Sequence, residues 1–363
     1  MQQSFSFSQN AWRRLKKNKG AMAGLIVICI SVFVGIFAYY LGTDSTPNAD
    51  RQVVEIMASK PGFTQLFIRV KKEKQIPNTG FFQRLLFGAE DKYLYVPINS
   101  YQEKNDSVYV EKFIDEGLQE KRVYSKNQLA EKNYIEAKTF WLGTDTFGRD
   151  ILSRLLVGVR VSLAVGLITV IISLSIGVIL GAIAGYYGGK TDNMIMWFIN
   201  VIWSMPTLLL VFGLTLTLGK GFWQIFIAVG LTMWVSVARV VRGQVFALRE
   251  MEYIQAAKAL GLKNIRIIIR HVLPNVLGPV IVIAAANFAS AIIIEAGLSF
   301  LGVGIQPPTP SWGLMIKENY NFIITHNPAL ALAPGIAIMI LVLAFNLLGN
   351  GLRDAMDVRA SAS

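Results

Sequence analysis

The sequence predicts an all-α polytopic membrane protein with six transmembrane helices and one small polar insertion. Of its 363 residues, 53% are hydrophobic and only 16% are charged, whereas about a quarter of the residues in soluble domains are charged. Apolar runs of roughly 20 residues, the length that a helix needs to cross a bilayer, recur along the chain. A long polar block separates the first run from the others. The predicted spans are 21–41, 161–186, 194–218, 222–241, 276–300 and 330–348.

A basic segment, WRRLKKNK at 12–19, precedes the first apolar run. A cleaved signal peptide also begins with basic residues and continues as an apolar stretch. The run 21–41 is long for such a peptide, and no small-x-small cleavage pattern follows it. We therefore expect residues 1–41 to form a basic N-terminus and a retained first membrane helix.

Lysine and arginine are concentrated in three segments that six spans would place on one side of the membrane. These segments are the N-terminus, the loop 242–275 and the tail 351–363. The positive-inside rule predicts that this side is cytoplasmic, together with both termini and a short turn at 188–192. The net charge of +12 then indicates contacts with anionic membrane lipids rather than with nucleic acid.

The polar block at 42–140 is predicted to be an extracellular insertion with a small α/β fold. The stretches PGFTQLFIRVKKEK and KYLYVPINSY show the alternation and residue types of strands. The stretch DEGLQEKRVYSKNQLAEKNYIEA has the composition of a polar helix. No catalytic constellation occurs in the block, which leaves docking of a partner or a tolerated elaboration as its alternatives.

Small residues at every fourth position predict close helix packing in the second span. Gly177, Gly181 and Gly185 lie on one helix face, and Gly189 continues the spacing. Such spacing lets two membrane helices approach closely. In the third span, Pro206 removes a helical hydrogen bond and predicts a kink, which is either a static bend or a moving gate.

Glu295 is the exceptional charge within the fifth predicted span. A carboxylate costs about 2.5–3.5 kcal/mol at the middle of a bilayer on insertion scales, and less near the interface. Two interpretations remain open from the sequence. Glu295 faces the pore or a partner subunit, or it reaches water at the outer surface or caps a neighbouring element.

Residues for a catalytic, metal or nucleotide site are not apparent in the sequence. The single cysteine, Cys29, excludes a disulfide framework within the chain. His271 and His326 are far apart and predicted on opposite membrane faces, which disfavours a histidine metal site. The tripeptide GKT at 189–191 resembles the end of a phosphate-binding loop but lacks the glycine five positions before Gly189. We expect no cofactor in this chain and no enzymatic activity of its own.

The loop QAAKALGLKNIRIIIRHVLP at 255–274 predicts a helix, a turn and a second helix. The first helix, 250–260, is expected to end at Gly261, and Asn264 is expected to cap the second, 265–273. Pro274 is expected to bend the chain toward the fifth span. Ala256, Ala257 and Gly261 would present little side-chain bulk, which suits a surface that enters a partner's groove. A basic interfacial helix would explain the arginines but not this spacing.

The loop resembles the cytoplasmic motif E-A-A-x3-G-x9-I-x-L-P of ABC-importer permeases. Gln255, Ala256, Ala257, Gly261, Leu273 and Pro274 fall at the spacing of the motif. Gln255 replaces its glutamate and His271 replaces its isoleucine. The stretches LGTDTFGRDILSRLLVGVRVSL, EAGLSFLGVGIQPPTPSWG and NLLGNGLRDAMDVR are similar to segments of dipeptide, oligopeptide and nickel permeases. The N-terminal helix and first span resemble the shorter, C-type subunit of that family.

The resemblance implies a permease subunit with the fold of type I ABC importers in a bacterial plasma membrane. It implies a second permease, two ABC ATPases that bind ATP and Mg, and an extracellular substrate-binding lipoprotein. The 255–274 loop would contact an ATPase, and the cargo would be a peptide. Nickel, another chelate or glutathione are alternative cargoes within the family. A stand-alone secondary carrier or a membrane-anchored sensor are alternatives outside it.

Overall fold

The computed structural model describes residues 7–73, 76–115, 117–219, 221–324 and 327–356. The chain forms two compact units. Unit 1 comprises Met1–Ser31, Ser162–Gln306 and Ile338–Ser363, and unit 2 comprises Val32–Val161 and Pro307–Ala337. The helices are α1 (Phe7–Lys17), α2 (Lys19–Leu41), α3 (Phe81–Phe87), α4 (Ile151–Tyr187), α5 (Gly189–Trp203), α6 (Thr207–Leu218), α7 (Phe222–Arg249), α8 (Glu252–Ala259), α9 (Asn264–Ile267), α10 (Leu273–Phe300), α11 (Trp312–Asn319) and α12 (Ala329–Met356). The strands are β1 (Phe63–Lys71), β2 (Tyr93–Lys104), β3 (Ser107–Asp115), β4 (Leu118–Ser125) and β5 (Ile135–Phe140).

Five helical runs among the described residues are long and apolar enough to cross a membrane. They are α2, α4, α7, the continuous run Asn264–Phe300 and α12. A sixth span results if α5 and α6 are counted as one, since these helices meet at an angle of 90°. Pro206, the residue just before α6, lies at this break. The predicted fold class is therefore confirmed, and the kink predicted at Pro206 is a sharp bend between α5 and α6.

Several predicted boundaries differ from the structure, and α7 and α12 continue to Arg249 and Met356, beyond the predicted ends at 241 and 348. Helix α4 begins at Ile151 rather than at 161, because its first turns bury polar residues instead of presenting a purely apolar run. The expected turn at 188–192 is wrong, since only Gly188 interrupts the helices and α5 begins at Gly189. With a φ of +66°, Gly188 adopts a backbone conformation that other residues rarely tolerate.

The glycines of α4 lie directly against the backbone of α7, within unit 1. A Cβ atom on Gly177 or Gly181 would lie 2.7 Å from the carbonyl oxygen of Trp234 or 2.6 Å from that of Ala238. A Cβ atom on Gly185 would lie 2.6 Å from the carbonyl oxygen of Arg242. The spacing of four is thus matched on both helices, and only glycine permits this approach. Gly189 shares the spacing but has open space around it at the start of α5.

The insertion in unit 2 is an antiparallel sheet with the strand order β4-β3-β2-β1-β5. The predicted polar helix is wrong, because its residues form β4 and β5. Gly117, with a φ of +85°, lies in the turn that pairs β4 with β3. Pairing with an existing strand outweighs the helical preference of Glu, Lys and Gln in this stretch. The helical part of the sheet region is α3, which has about two turns, and short 3₁₀ segments.

A buried cluster of charges surrounds the start of α4 in unit 2. Arg149 contacts Asp145 at 2.6 Å, Glu318 at 2.8 Å and Asp50 at 3.1 Å. Arg154, which is fully buried, lies 3.5–3.7 Å from the same three carboxylates. Three of its five members, Asp145, Arg149 and Arg154, lie in the stretch 142–163, but the sequence gives no signal that Asp50 and Glu318 join them.

Candidate functional site

The elbow, which we define as residues 250–274, connects α7 to α10 in unit 1. Its first part is α8, which ends at Ala259 and is followed by the cap residue Leu260 and by Gly261. The Gly261 amide donates to the Lys258 carbonyl at 2.9 Å, and the Leu262 amide donates to the Ala257 carbonyl at 3.2 Å. These two bonds and the φ of +75° at Gly261 define a Schellman motif. The predicted helix end at Gly261 is confirmed.

The second part of the elbow differs from the prediction at Asn264. The cap residue of α9 is Lys263, and no side chain caps this helix. The Asn264 side chain instead accepts a hydrogen bond of 3.0 Å from the hydroxyl group of Tyr186, at the end of α4. Asn264 therefore ties the elbow to α4 rather than starting the helix.

The elbow continues into α10 without a loop. A π-helical turn at Ile268–Val272 joins α9 to α10, and Pro274 lies in the first turn of α10. Proline lacks an N–H group, and its ring crowds the carbonyl group four residues earlier. The wider π-turn accommodates both effects directly before Pro274. The predicted second helix is thus the start of the fifth span rather than a separate element.

Apolar side chains anchor the inner face of the elbow. Ile254, Ile267 and Val272 are fully buried in one cluster. This cluster also contains Val241 and Val245 of α7, and Leu273 is packed against it. Ala257 belongs to the same cluster and is only 6% exposed. The expectation that Ala257 contributes to an exposed docking surface is therefore wrong, since its small side chain packs inward.

The outer face of the elbow combines small and large apolar residues with basic ones. Gln255, Ala256, Gly261 and Pro274 are exposed, and Leu260 is 81% exposed. The other exposed members of this face are Ile265, Ile269, Lys258, Lys263, Arg266 and Arg270. Of the residues predicted for coupling, four are thus at the surface, whereas Ala257 and Leu273 support them from inside.

Glu295 does not lie on a surface of the chain. It is 1% exposed, and its carboxylate accepts a hydrogen bond of 2.6 Å from the hydroxyl group of Ser299. The Ser299 hydroxyl oxygen in turn accepts the amide of Ile305 at 3.0 Å. The burial contradicts a position in outer water and favours the alternative in which Glu295 caps a neighbouring element through Ser299, whereas a role at a pore or a subunit interface stays a prediction.

The residues that the structure describes contain no group of three His, Cys, Asp or Glu side chains arranged to hold a metal ion. His271 lies in the π-turn of the elbow. His326 is outside the described residues. The absence of a metal or nucleotide site therefore stays a prediction from the sequence.

Comparison with known proteins relates the chain to transport permeases. The family model described as "Binding-protein-dependent transport system inner membrane component" matches residues 177–361, a range that includes the whole elbow. The chain belongs to this family. A second family model, described as "N-terminal TM domain of oligopeptide transport permease C", matches residues 6–58. The prediction of an ABC-importer permease of the C type is thus confirmed.

Three relatives illustrate how the similarity is distributed. The dipeptide transport system permease protein DppC of Bacillus subtilis is 32% identical over 98% of this chain and 86% of its own length. DppC of Alkalihalophilus pseudofirmus is 45% identical over 60% of this chain and 71% of its own length. The glutathione transport system permease protein GsiD of Pectobacterium atrosepticum is 42% identical over 60% of this chain and 72% of its own length.

Proposed function

We propose that this permease imports peptides and that its elbow receives the movement of a partner ATPase. The observation that carries the proposal is the two-sided elbow, which is exposed at Ala256, Leu260 and Gly261 and anchored by a buried apolar face. A surface that transmits force needs both a contact area and a rigid attachment. The names of the relatives, which specify dipeptide and glutathione transport, support a short peptide as the cargo.

The proposal includes the partners and orientation that the sequence predicts. A second permease would complete the pathway, two ABC ATPases would bind ATP and Mg, and an extracellular lipoprotein would deliver the cargo. The elbow and both termini would then be cytoplasmic, in agreement with the basic residues on its outer face. The membrane would be the plasma membrane of a bacterium.

Coupling requires that the ATPase contact the elbow with different free energies in its two states. The small side chain of Ala256 and the bare backbone of Gly261 let a partner approach closely. The exposed side chains of Leu260 and Ile265 supply apolar area for that partner. Because α9, the π-turn and α10 form one continuous run, a displacement of the elbow would move the fifth span with it.

The test is to replace Ala256 with tryptophan in the complete transporter. Ala256 is exposed and helical, so the Ala256→Trp variant is expected to insert and fold normally. Bulk at this position should block docking and reduce ATP-dependent peptide uptake and ATPase co-purification at least tenfold. The matched control is Ala23→Trp, which changes an exposed alanine of α2. Normal uptake by Ala256→Trp would contradict the coupling role.

Crosslinking gives a second, geometric test of the same surface. With Cys29 replaced by serine, a cysteine at Leu260 should form a crosslink to the ATPase, whereas one at Ala257 should not. The difference follows from their exposures, 81% and 6%. Equal crosslinking at the two positions would show that the elbow opens, and absence of any crosslink at Leu260 would contradict the docking proposal.

The cargo requires a separate experiment. Proteoliposomes with the complete transporter and its binding protein should accumulate labelled dipeptide or oligopeptide when ATP is present. Glutathione serves as the competing cargo because GsiD, one of the relatives, is named for it. Preferential accumulation of glutathione would replace the peptide assignment without affecting the role of the elbow.

A further inference from the structure

Helix α3 in unit 2 exposes its apolar side chains, the opposite of what is expected for a helix in water. Its sequence is FFQRLLF. Phe81, Phe82, Leu86 and Phe87 are exposed, and Phe82 and Phe87 are 75% and 67% exposed. Arg84, the single charged residue of this helix, is turned inward instead. A surface helix of a soluble domain normally buries its apolar stripe and exposes its charges.

Several specific contacts hold α3 in this orientation. The Arg84 guanidinium lies 4.8 Å from the centre of the Tyr40 ring of α2, and the Tyr40 hydroxyl group donates to the Phe81 carbonyl at 3.3 Å. The rings of Tyr40 and Phe81 are 5.5 Å apart. The apolar face of α3 is therefore not a loosely placed segment but is turned outward by polar contacts on its inner side.

Arg160, a residue of α4, connects the C-terminal end of α3 to α2. Its guanidinium donates to the Leu86 carbonyl at 2.9 Å and also to the Leu85 carbonyl, at the end of α3. It donates as well to the Ile36 carbonyl at 3.0 Å, within α2. Gly88 ends α3 with a φ of +79°, a conformation that favours glycine. A Cβ atom at this residue would also lie 2.8 Å from the Ser45 carbonyl oxygen.

The exposed face of α3 continues the exposed apolar surface of a membrane span. On α2, the side chains of Phe33, Ile36, Tyr40 and Leu41 are exposed, and Tyr40 contacts α3 directly. We propose that α3 inserts its apolar face into the bilayer interface beside the C-terminal end of α2 and anchors the sheet to the membrane surface. The ligand of this surface is the phospholipid layer, with acyl chains against the phenylalanine rings. Aromatic and leucine side chains are typical of helices that lie in the interface.

Spin-label accessibility tests this proposal on the complete transporter in phospholipid nanodiscs. With Cys29 replaced by serine, a nitroxide label is attached to Phe82→Cys or, independently, to Phe87→Cys. The matched control is Val123→Cys, an apolar residue of β4 that is 54% exposed. We expect the ratio of collisions with oxygen to collisions with a water-soluble nickel chelate to be several-fold higher at 82 and 87 than at 123.

Two other outcomes would overturn the proposal. Equal nickel accessibility at 82, 87 and 123 would place α3 in water. Protection of 82 and 87 from both oxygen and nickel would show that a protein partner, rather than lipid, covers the face. A label at the native Cys29, which is exposed on α2, supplies the signal of a membrane-buried position for calibration.

Discussion

The elbow and the charged cluster around Arg149 are both built on long membrane helices, but they are held in different ways. The elbow is fixed by fully buried aliphatic side chains and by glycines that bring α4 against α7. The cluster is fixed by two guanidinium groups among three carboxylates. Close apolar packing depends on volume and tolerates changes of pH and salt. A buried ion cluster depends on every member, because removal of one leaves others uncompensated.

Apolar packing keeps the elbow rigid, whereas the ion pairs of the cluster join segments that are far apart in sequence. An elbow that passes on a displacement must keep its shape while its outer face is bound and released. Packed interiors have low compressibility and transmit strain, so buried side chains meet this requirement. The cluster instead fixes segments that are distant in sequence, Asp50, Asp145 and Glu318, in one arrangement with high geometric specificity.

The largest expected effect is on the charged cluster. Replacement of Arg149 by methionine should lower the free energy needed to open the surrounding segments by about 3–5 kcal/mol, because buried carboxylates lose a partner. Hydrogen exchange of the amides at 143–150 in the full-length protein measures this change. The control is Arg122→Met, which removes an exposed pair with Glu120 and should have no measurable effect. Equal exchange in the two variants would contradict the importance of the cluster.

The next effect concerns the packing that supports the elbow. Gly181→Ala should destabilise the protein by about 1–3 kcal/mol, because the added methyl group has no space between α4 and α7. Chemical unfolding in detergent measures the loss. The control is Gly213→Ala in α6, where a Cβ atom has nothing within 4 Å. We expect this control to be neutral or slightly stabilising, and a neutral Gly181→Ala would show that the helices separate readily.

A pH effect distinguishes the sheet, in which Lys138 is part of β5, from the elbow. Burial, together with the nearby Arg51 guanidinium, lowers the pKa of Lys138 from 10.5 to about 8. Between these values the unfolded chain binds more protons than the folded one, so stability rises with pH. Between pH 8 and pH 9.5 the gain is about 1.5 kcal/mol.

Hydrogen exchange of the sheet amides, corrected for the intrinsic pH dependence of exchange, tests this expectation. Lys138→Met should abolish the pH-dependent gain, since the variant has no titrating group at this position. The amides of α8 serve as an internal control and should show no comparable change. A gain that persists in Lys138→Met would assign the effect to another group.

The smallest expected effect is at the turn of the elbow. Gly261→Ala should cost about 1 kcal/mol, because the backbone has a left-handed conformation that alanine adopts with strain. The surrounding space is open, so no steric clash adds to this value. Thermal unfolding measures it, and uptake should fall far less than in Ala256→Trp. A loss as large as that of Gly181→Ala would mean that the turn is crowded by other parts of the protein.

The sequence predicted the membrane helices and the elbow because both have strong local signals. Long apolar runs identify spans, and Gly261 at the end of a helix-forming stretch identifies the turn. The glycine spacing in α4 predicted a close helix contact, but the partner α7 became clear only from the structure. The stretch 142–163, which is similar to a segment of related permeases, includes the true start of α4. The length of the apolar run alone placed that start too late.

The errors share a physical cause, which is tertiary contact that local patterns do not contain. The residues of β4 have helical propensity, but pairing with β3 decides their conformation. Ala257 has the small side chain expected at a docking surface, yet Ile254 and Ile267 surround it. For Glu295 the sequence left several positions open, and only the structure shows the buried contact with Ser299, one turn later. The composition of FFQRLLF, with five apolar residues around Gln83 and Arg84, does not show that its apolar side is the exposed one.

The uninterrupted run from Asn264 to Phe300 has a geometric consequence. With 37 residues and a rise of 1.5 Å per residue, it measures about 55 Å from end to end. A rotation of about 5° around one tip would shift the opposite tip by about 5 Å, the length of roughly one helical turn. Under the proposed coupling role, a tilt of a few degrees imposed at the Asn264 end would therefore exchange one set of neighbours for another at Phe300.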